Sequence, residues 1–519
     1  MSRISRFKTA RPPYWVTPQA TFLVLVLLLA GCSSTRDWWS NGFKVGPNYC
    51  PPGANVAESW IEASDPHVIA GQRDNACWWT AFGDPTLDQL VAAASQQNLT
   101  LKVAGFRILE ARAERGIAEG NLFPQQQDMT AQYSRNAMSA TAYPFNFFTL
   151  PTYSYDNWST GLDAAWELDF WGRFRRAIEA ADAHLNAQVE GYDNVLVLLQ
   201  AEVATNYIQM RAYEERLALT RKNVELQRET LGIITLREQR GLVTELDVQQ
   251  AIGNLGTTES LIPVLVSGHR RAENRLCILM GEPPCQLAEM VKSPGPIPVP
   301  PQEVIVGIPA ELLRRRPDVR QAEREAAAQS AQIGIAEAEF YPHIAITGTI
   351  GVQAEQLNQL FESSSLVGAI GPGIRWNILN YGRIKNNVRA QDARFQQAII
   401  NYRDTVLRAN EEVENGIVNF LQEQDRVKCL DKTARADARS VEIAMQQYEK
   451  GVIAYQPLLD SQRALVQQQD ALAESRGSVG TNLVAIYKAL GGGWQARLAS
   501  NRPPAEAVPA PAGEPMPLP

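Results

Sequence analysis

The chain has 519 residues, enough for three or four ordinary domains, and its 45% hydrophobic and 20% charged residues exclude a disordered protein and allow a large core. Its formal net charge of -7 argues against nucleic acid as a partner.

The chain opens on a targeting signal. Arg3, Arg6, Lys8 and Arg11 form a basic region, and Phe22 to Ala30 form an apolar run too short to span a bilayer comfortably. Leu29-Ala30-Gly31-Cys32 closes it. This tetrad resembles the bacterial lipobox, in which Cys32 becomes the acylated first residue of the mature chain; the alternative is an ordinary signal peptide cut near Ala30. Ser33 and Ser34, rather than Asp, follow the cysteine, a pattern that in lipoproteins of Gram-negative bacteria goes with sorting to the outer membrane. Two or three acyl chains anchor stably where one does not. Removal of residues 1–31 takes the formal charge from -7 to -11. Apart from this covalent lipid no cofactor is expected. His67, His184, His269 and His343 are scattered and no Cys/His cluster has metal-ligand spacing, so no metal site is expected. In an oxidising periplasm Cys50 with Cys77, and Cys277 with Cys285, are candidate disulfides whose connectivity spacing alone does not fix, and Cys429 is the odd one out.

Residues 32–75 show no clear period and read as an extended lead-in from the anchor. Asp84-Pro85 places an N-cap before a first-turn proline, and the pattern from Pro85 to about Glu119 predicts one helix, with Leu87, Leu90, Val91 and Ala94 on one face. The period then changes to two. Met129, Ala131 and Tyr133 alternate with Asp128, Thr130, Gln132 and Ser134, and after an aromatic loop (Tyr143 to Tyr153) Trp158, Leu162, Ala164, Trp166 and Leu168 alternate with Ser159, Asp163 and Glu167. This predicts a hairpin with one apolar and one polar face. After Gly172-Arg173, the 66 residues from Phe174 to Gln239 contain no proline and predict a helix about 100 Å long. Gly241 suits a left-handed C-terminal turn, and a return helix is expected from Glu245 to Met280. A Pro-rich connector, residues 286–309, follows.

The pattern then repeats. Trp166-Glu-Leu-Asp-Phe-Trp-Gly-Arg173 recurs 210 positions later as Trp376-Asn-Ile-Leu-Asn-Tyr-Gly-Arg383, and the same offset pairs Gly241 with Gly451 and Gly281 with Gly491. The entry Gly116-Ile-Ala-Glu119 recurs as Gly334-Ile-Ala-Glu337, the first hairpin being eight residues longer. A duplicated chain is the reading: repeats at 76–285 and 310–491, each a helix, a hairpin, a long helix and a return helix. The second comprises a helix from about Pro317 to Glu339, a strand through Ile344, Ile346, Ile350 and Val352, a return strand through Ile370, Ile374, Trp376 and Ile378, a long helix from Ile384 to Glu449, and a return from Pro457 to Leu490. The tail, 492–519, is Pro- and Ala-rich and is predicted to be disordered.

Four strands with a polar face and an apolar, Trp-bearing face match membrane-barrel strands, with Trp166 and Trp376 facing lipid near the membrane boundary. Four are too few to close a barrel, and open edges are not tolerated in lipid. Several chains must therefore share one barrel, continued by the helices as a hollow cylinder. The soluble alternative packs the hairpins on the helices as an ordinary α+β domain.

Trp-x-x-Phe-x-Asp-Pro-x-Leu (Trp79 to Leu87), Arg-Arg-Pro-Asp-Val (Arg315 to Val319), the duplicated Trp with Gly-Arg, and the lipobox together resemble the outer-membrane factor family of TolC and its NodT-type lipoproteins, over about residues 45–491. The resemblance implies a mainly α fold with a transmembrane β-barrel portion, in which four strands per chain contribute to a homotrimeric twelve-stranded barrel above a periplasmic α-helical tunnel. It implies a passive exit duct, not an enzyme, for small molecules leaving the cell through a tripartite efflux pump. The implied partners are a periplasmic adaptor and an inner-membrane transporter of the resistance-nodulation-division class, with outer-membrane lipid around the barrel. It further implies a gate at the helix turns around Gly241 and Gly451, where the adaptor would also make contact. The family's constricting aspartate matches Asp460, and a second constricting position, often apolar in relatives, matches Gln456, while Lys450 stands where relatives often carry a locking arginine. Residues 456 and 460 are four apart and share a helical face. Three copies of Asp460 converging on an axis would repel one another; the alternative is a solvated aspartate near a helix start. A duct for ATP-driven protein secretion, or a non-channel coiled-coil scaffold lipoprotein, are the competing readings.

Overall fold

The computed structural model describes residues 38–71, 76–137, 154–284, 291, 294–311 and 315–497. Cys32 and its lipobox, Cys285, the aromatic loop from Tyr143 to Phe148 and most of the Pro/Ala-rich tail lie outside them. Along the chain the elements are β1 (Val68–Ala70), α1 (Pro85–Gln97), α2 (Leu99–Gly120), β2 (Gln126–Ala137), β3 (Ser154–Leu168), α3 (Arg173–Gln239), α4 (Glu245–Leu279), β4 (Val304–Val306), α5 (Pro317–Ala338), β5 (His343–Ala354), β6 (Leu366–Arg375), α6 (Arg383–Glu449) and α7 (Tyr455–Ala489). The chain divides into two compact units, one of residues 1–50, 113–183 and 327–396, the other of 51–112, 184–326 and 397–519.

The first unit holds the two hairpins. They join into one antiparallel sheet of order β2-β3-β5-β6, in which Trp166 of β3 stands opposite Ile346 of β5. β2 and β6 are left as edges. Trp376 and Ile378, expected as strand residues, lie beyond the end of β6. The reason is local: β6 pairs only with β5, Arg375 faces His343 on the last rung, and Pro342 before it has no N–H to continue the ladder. The duplication extends to hydrogen bonds. The Trp166 indole N–H donates to the Leu122 carbonyl at 3.1 Å, and the Trp376 indole N–H donates to the Phe340 carbonyl at 2.9 Å.

The second unit is mainly helical and holds the main core. Trp78, Trp79 and Phe82 on a short 3-10 turn, with Leu87, Leu90 and Ala94 of α1, are buried against Tyr207 and Ile208 of α3, Ile417 and Phe420 of α6, and Leu483 and Tyr487 of α7. Asp84 caps α1 as expected, accepting from the Thr86 N–H at 2.8 Å, and it also accepts from the Tyr207 hydroxyl at 2.6 Å. The helix expected from Pro85 to Glu119 is broken at Asn98. Its side chain accepts from the Leu101 N–H at 2.9 Å, competing with the helical ladder, and donates to the Leu279 carbonyl at the end of α4 at 2.8 Å. Arg316, 218 positions on, does the equivalent in the second repeat. It donates to the Ala489 carbonyl at the end of α7 at 2.9 Å, and pairs with Asp318 and Glu412. Each repeat thus has a joint tying the end of its return helix to the start of its opening helix.

Two segments read as lead-in and connector meet. β1 and β4 pair in parallel, Val68 with Val304 and Ala70 with Val306, and the Trp60 indole donates to the Gly307 carbonyl at 2.5 Å. Cys50 and Cys77, a candidate disulfide, are not joined. No described helix is long and apolar enough to cross a membrane.

Candidate functional site

The two turns that close α3–α4 and α6–α7 have the same backbone. Gly241 and Gly451 both have φ +74°, a left-handed conformation that glycine adopts without a Cβ clash. The Leu242 N–H returns to the Arg237 carbonyl, the Val452 N–H to the Gln447 carbonyl, each at 2.9 Å, and the Gly241 and Gly451 N–H groups bond to the carbonyls of Glu238 and Tyr448. This is the pair of bonds that ends a helix on a left-handed residue. Leu242 and Val452 are both 69% exposed, so each turn presents an apolar side chain at its apex. Val243 and Ile453 tuck instead against a small core of Ile234, Ala251, Val441, Ala444, Tyr448, Tyr455, Leu458, Leu459 and Leu465.

The starts of the return helices differ. Asp247 anchors the start of α4 by accepting from the Thr244 N–H and hydroxyl at 3.1 and 3.0 Å. Ala454, at the matching place before α7, has no side-chain cap. What fixes α7 is its inward face: Gln462 is buried and donates to the Thr230 hydroxyl at 2.9 Å, and Arg463 donates to the Asn254 side chain at 3.2 Å. Gln456 and Asp460 are exposed, and the Gln456 amide donates to the Asp460 carboxylate at 3.0 Å. The two candidate gate residues therefore share a face. Lys450 is exposed.

Arg237, which sequence reasoning passed over, connects the two turns. From the last turn of α3 it donates to the Glu449 carbonyl at 2.8 Å, and its guanidinium lies 4.6 Å from the Tyr448 ring centroid, a cation–π distance. Burial raises the Tyr448 phenol, with Arg237 acting against it. Tyr455, 5.9 Å from Tyr448 between ring centroids, is pushed up to about 12 by burial. Both phenols are neutral at physiological pH. The only signal that could have pointed to Arg237 is a departure from the repeat: its counterpart in the second copy is Gln447, and the counterpart of Tyr448 is Glu238.

Above the turns, ion pairs bind helix to helix. Arg216 of α3 holds Asp470 of α7 through two bonds of 2.8 Å, and Arg476 of α7 reaches Glu215 of α3 and Asp431 of α6.

The sequence profile of the family described as "Outer membrane efflux protein" matches residues 90–282 and 308–492. Nodulation protein T of Rhizobium leguminosarum bv. trifolii is 30% identical over 469 residues, covering 90% of this chain and 96% of that protein. The pyoverdine export outer membrane protein OpmQ of Pseudomonas putida is 30% identical over 84% of this chain and 91% of its own. Among solved structures, the outer-membrane channel OprN superposes with a TM-score of 0.80 at 32% identity, over 87% of this chain and 99% of that one.

Proposed function

The chain belongs to the outer membrane efflux protein family, and we propose on that footing that three copies form one passive duct, shut at rest by the α6–α7 turns. That it is an outer-membrane efflux channel with a periplasmic helical tunnel, and not an enzyme, follows from family membership. The observation that carries the trimer is the pair of open edges. β2 and β6 each lack a neighbour in the four-stranded sheet, edges in lipid must be paired, and three sheets joined edge to edge supply twelve strands. Leu99, Val103 and Phe106, on one face of α2 and 61%, 52% and 71% exposed, give a second surface for a neighbouring copy to cover.

Gln456 and Asp460 are the proposed constriction, and the exposed turn residues around Gly241 and Gly451 the proposed seat of a periplasmic adaptor. That adaptor would couple the duct to an inner-membrane transporter of the resistance-nodulation-division class. The two relatives carry names referring to nodulation and to pyoverdine export at the same 30% identity, which supports a duct indifferent to cargo. Acylation of Cys32 rests on the lipobox and is checked by the mass of the N-terminal peptide. The test of the assembly is native mass spectrometry together with photo-crosslinking from Leu242 and Val452. A trimer that captures an adaptor at both turns is expected. A monomer in lipid would end the proposal, and capture of an ATP-driven secretion transporter would move the chain to the competing reading.

A further inference from the structure

We propose that the N-terminal segment around Trp38 to Lys44 folds back to form a membrane-interface platform of its own, docking on the phospholipid of the inner leaflet. It rests on the outer-membrane location and not on acylation of Cys32. Trp38, Trp39, Phe43 and Phe170 form one aromatic knot, with ring centroids 4.8 Å (Trp38–Phe43), 5.0 Å (Trp39–Phe43) and 5.2 Å (Trp38–Phe170) apart. Its outer rings are bare: Trp39 is 70% exposed, Phe43 41% and Phe170 45%.

Three observations say that this exposure is built and that lipid covers it. The segment is pinned from below by the arginines that open α3. Arg175 donates to the Gly42 and Phe43 carbonyls at 2.6 and 2.9 Å, Arg176 donates to the Val45 and Gly46 carbonyls at 3.0 and 2.8 Å, and Lys44 pairs with Glu179. Gly46 runs so close to Gly334 that a Cβ there would come within 2.4 Å of the Gly334 Cα. Second, Phe43 sits at φ +63°, a conformation that bulky residues rarely adopt and that persists only where the surroundings hold it. The backbone accepts strain to turn this ring outward. Third, the knot is continuous with the barrel edge. Phe170 follows β3 by two residues, and β3 and β6 both end against the start of β5, Leu168 at Ile344 and Arg375 at His343. The matching stretch after β6 is also bare, with Ile378 70%, Leu379 78% and Tyr381 97% exposed. Aromatic rings at the end of spanning strands, above Arg175, Arg176 and Lys44 that are already paired with Asp169 and Glu179, match the aromatic girdle of a bilayer interface.

The test is tryptophan quenching in nanodiscs of phosphatidylethanolamine and phosphatidylglycerol, with phospholipid spin-labelled near the carbonyl end or near the methyl end of its acyl chain. The contribution of Trp39 is the difference between the natural chain and Trp39→Phe. It is expected to be quenched about twofold more by the shallow label than by the deep one, as for interfacial tryptophan. Phe43→Gly, which suits the positive φ and so preserves the turn, should weaken that quenching. A chain exported behind an ordinary signal peptide, without residues 1–32, should retain it. Quenching of Trp39 by aqueous acrylamide but not by lipid label, protection from both as under a second copy, no response to Phe43→Gly, or loss of quenching without the acylated residue would each overturn the proposal.

Discussion

Replacing Arg237 by alanine removes the one described side chain that joins the α3–α4 turn to the α6–α7 turn by both a hydrogen bond and a ring contact. The hydrogen bond to the Glu449 carbonyl is 2.8 Å long but partly open to water, which sets its net worth at about 1 kcal/mol. The guanidinium 4.6 Å from the Tyr448 ring adds about 0.5–1 kcal/mol at such a site. The sum is about 1.5–2 kcal/mol per chain, more than a tenfold change in an equilibrium at about 1.4 kcal/mol per decade. It shifts the gate only by the part lost on opening, and three copies add in full only if they are independent. Arg237→Ala should therefore raise the open fraction of single channels in planar bilayers, by about tenfold for each chain whose contact is wholly lost on opening and by less where part of it survives. Arg237→Lys should fall between, because an ammonium keeps the charge but not the planar stacking. Tyr448→Phe, which keeps the ring, should behave as the natural chain. An Arg237→Ala protein that assembles and conducts with unaltered conductance and open time would refute the lock.

Asp460→Ala should raise single-channel conductance, since it removes a carboxylate from each copy of the proposed constriction, and unchanged conductance would end that assignment. The joints can be compared by thermal unfolding in detergent. Arg316→Ala loses a charge-assisted bond to the Ala489 carbonyl and two ion pairs whose carboxylates are 26% and 47% exposed and should cost about 2–3 kcal/mol, whereas Asn98→Ala, losing a cap and one buried bond, should cost about 1–2 kcal/mol; equal losses would contradict the ranking. Tyr455, pushed up to about 12 by burial, gives a pH test. Its folded value lies above the usual phenol value of about 10, so the stability it confers is complete below that pH and is lost as pH rises from about 10 to 12. Tyr455→Phe should flatten the fall in stability across that window and remove one late-titrating phenol at 295 nm. A natural chain and variant with the same alkaline profile would show that the phenol is not held in the turn core.

What was legible in the chain was what periodicity carries. The helices α3 and α6 begin within one residue of their expected starts because a Gly-Arg elbow precedes each and no proline interrupts either. The hairpins were readable from alternation. Features without a period were not: three-residue strands such as Val68–Ala70 and Val304–Val306 hold too few residues to show one, and their pairing is set by chain segments more than 200 positions apart. Asn98 looked like one more polar helix residue, because only the nearness of Leu279 gives its amide a partner. Arg237 was hidden for the same reason. A basic residue in a last helical turn is ordinary by itself, and the carbonyl it reaches is 212 positions away in the chain.

The places where the two repeats agree and differ divide by physical role. The indole bonds of Trp166 and Trp376 and the joints at Asn98 and Arg316 recur as hydrogen bonds to matching carbonyls, and the turns at Gly241 and Gly451 recur with the same φ. These positions fix where each strand becomes a helix and where each return helix ends, and six units must agree on them if three chains are to close one cylinder. The side chains at the turns do not recur: Asp460 corresponds to Gln250, Gln456 to Leu246, Tyr448 to Glu238 and Gln447 to Arg237. Six identical turns would have no internal distinction between a fixed and a moving element, and any opening would have to strain all six alike. With Asp247 anchoring the start of α4 and no side-chain cap at Ala454, the start of α7 has fewer local bonds to lose. The contact made by Arg237 then supplies from the first repeat what the second lacks. On the proposed gate, the duplication builds the wall and its divergence builds the door.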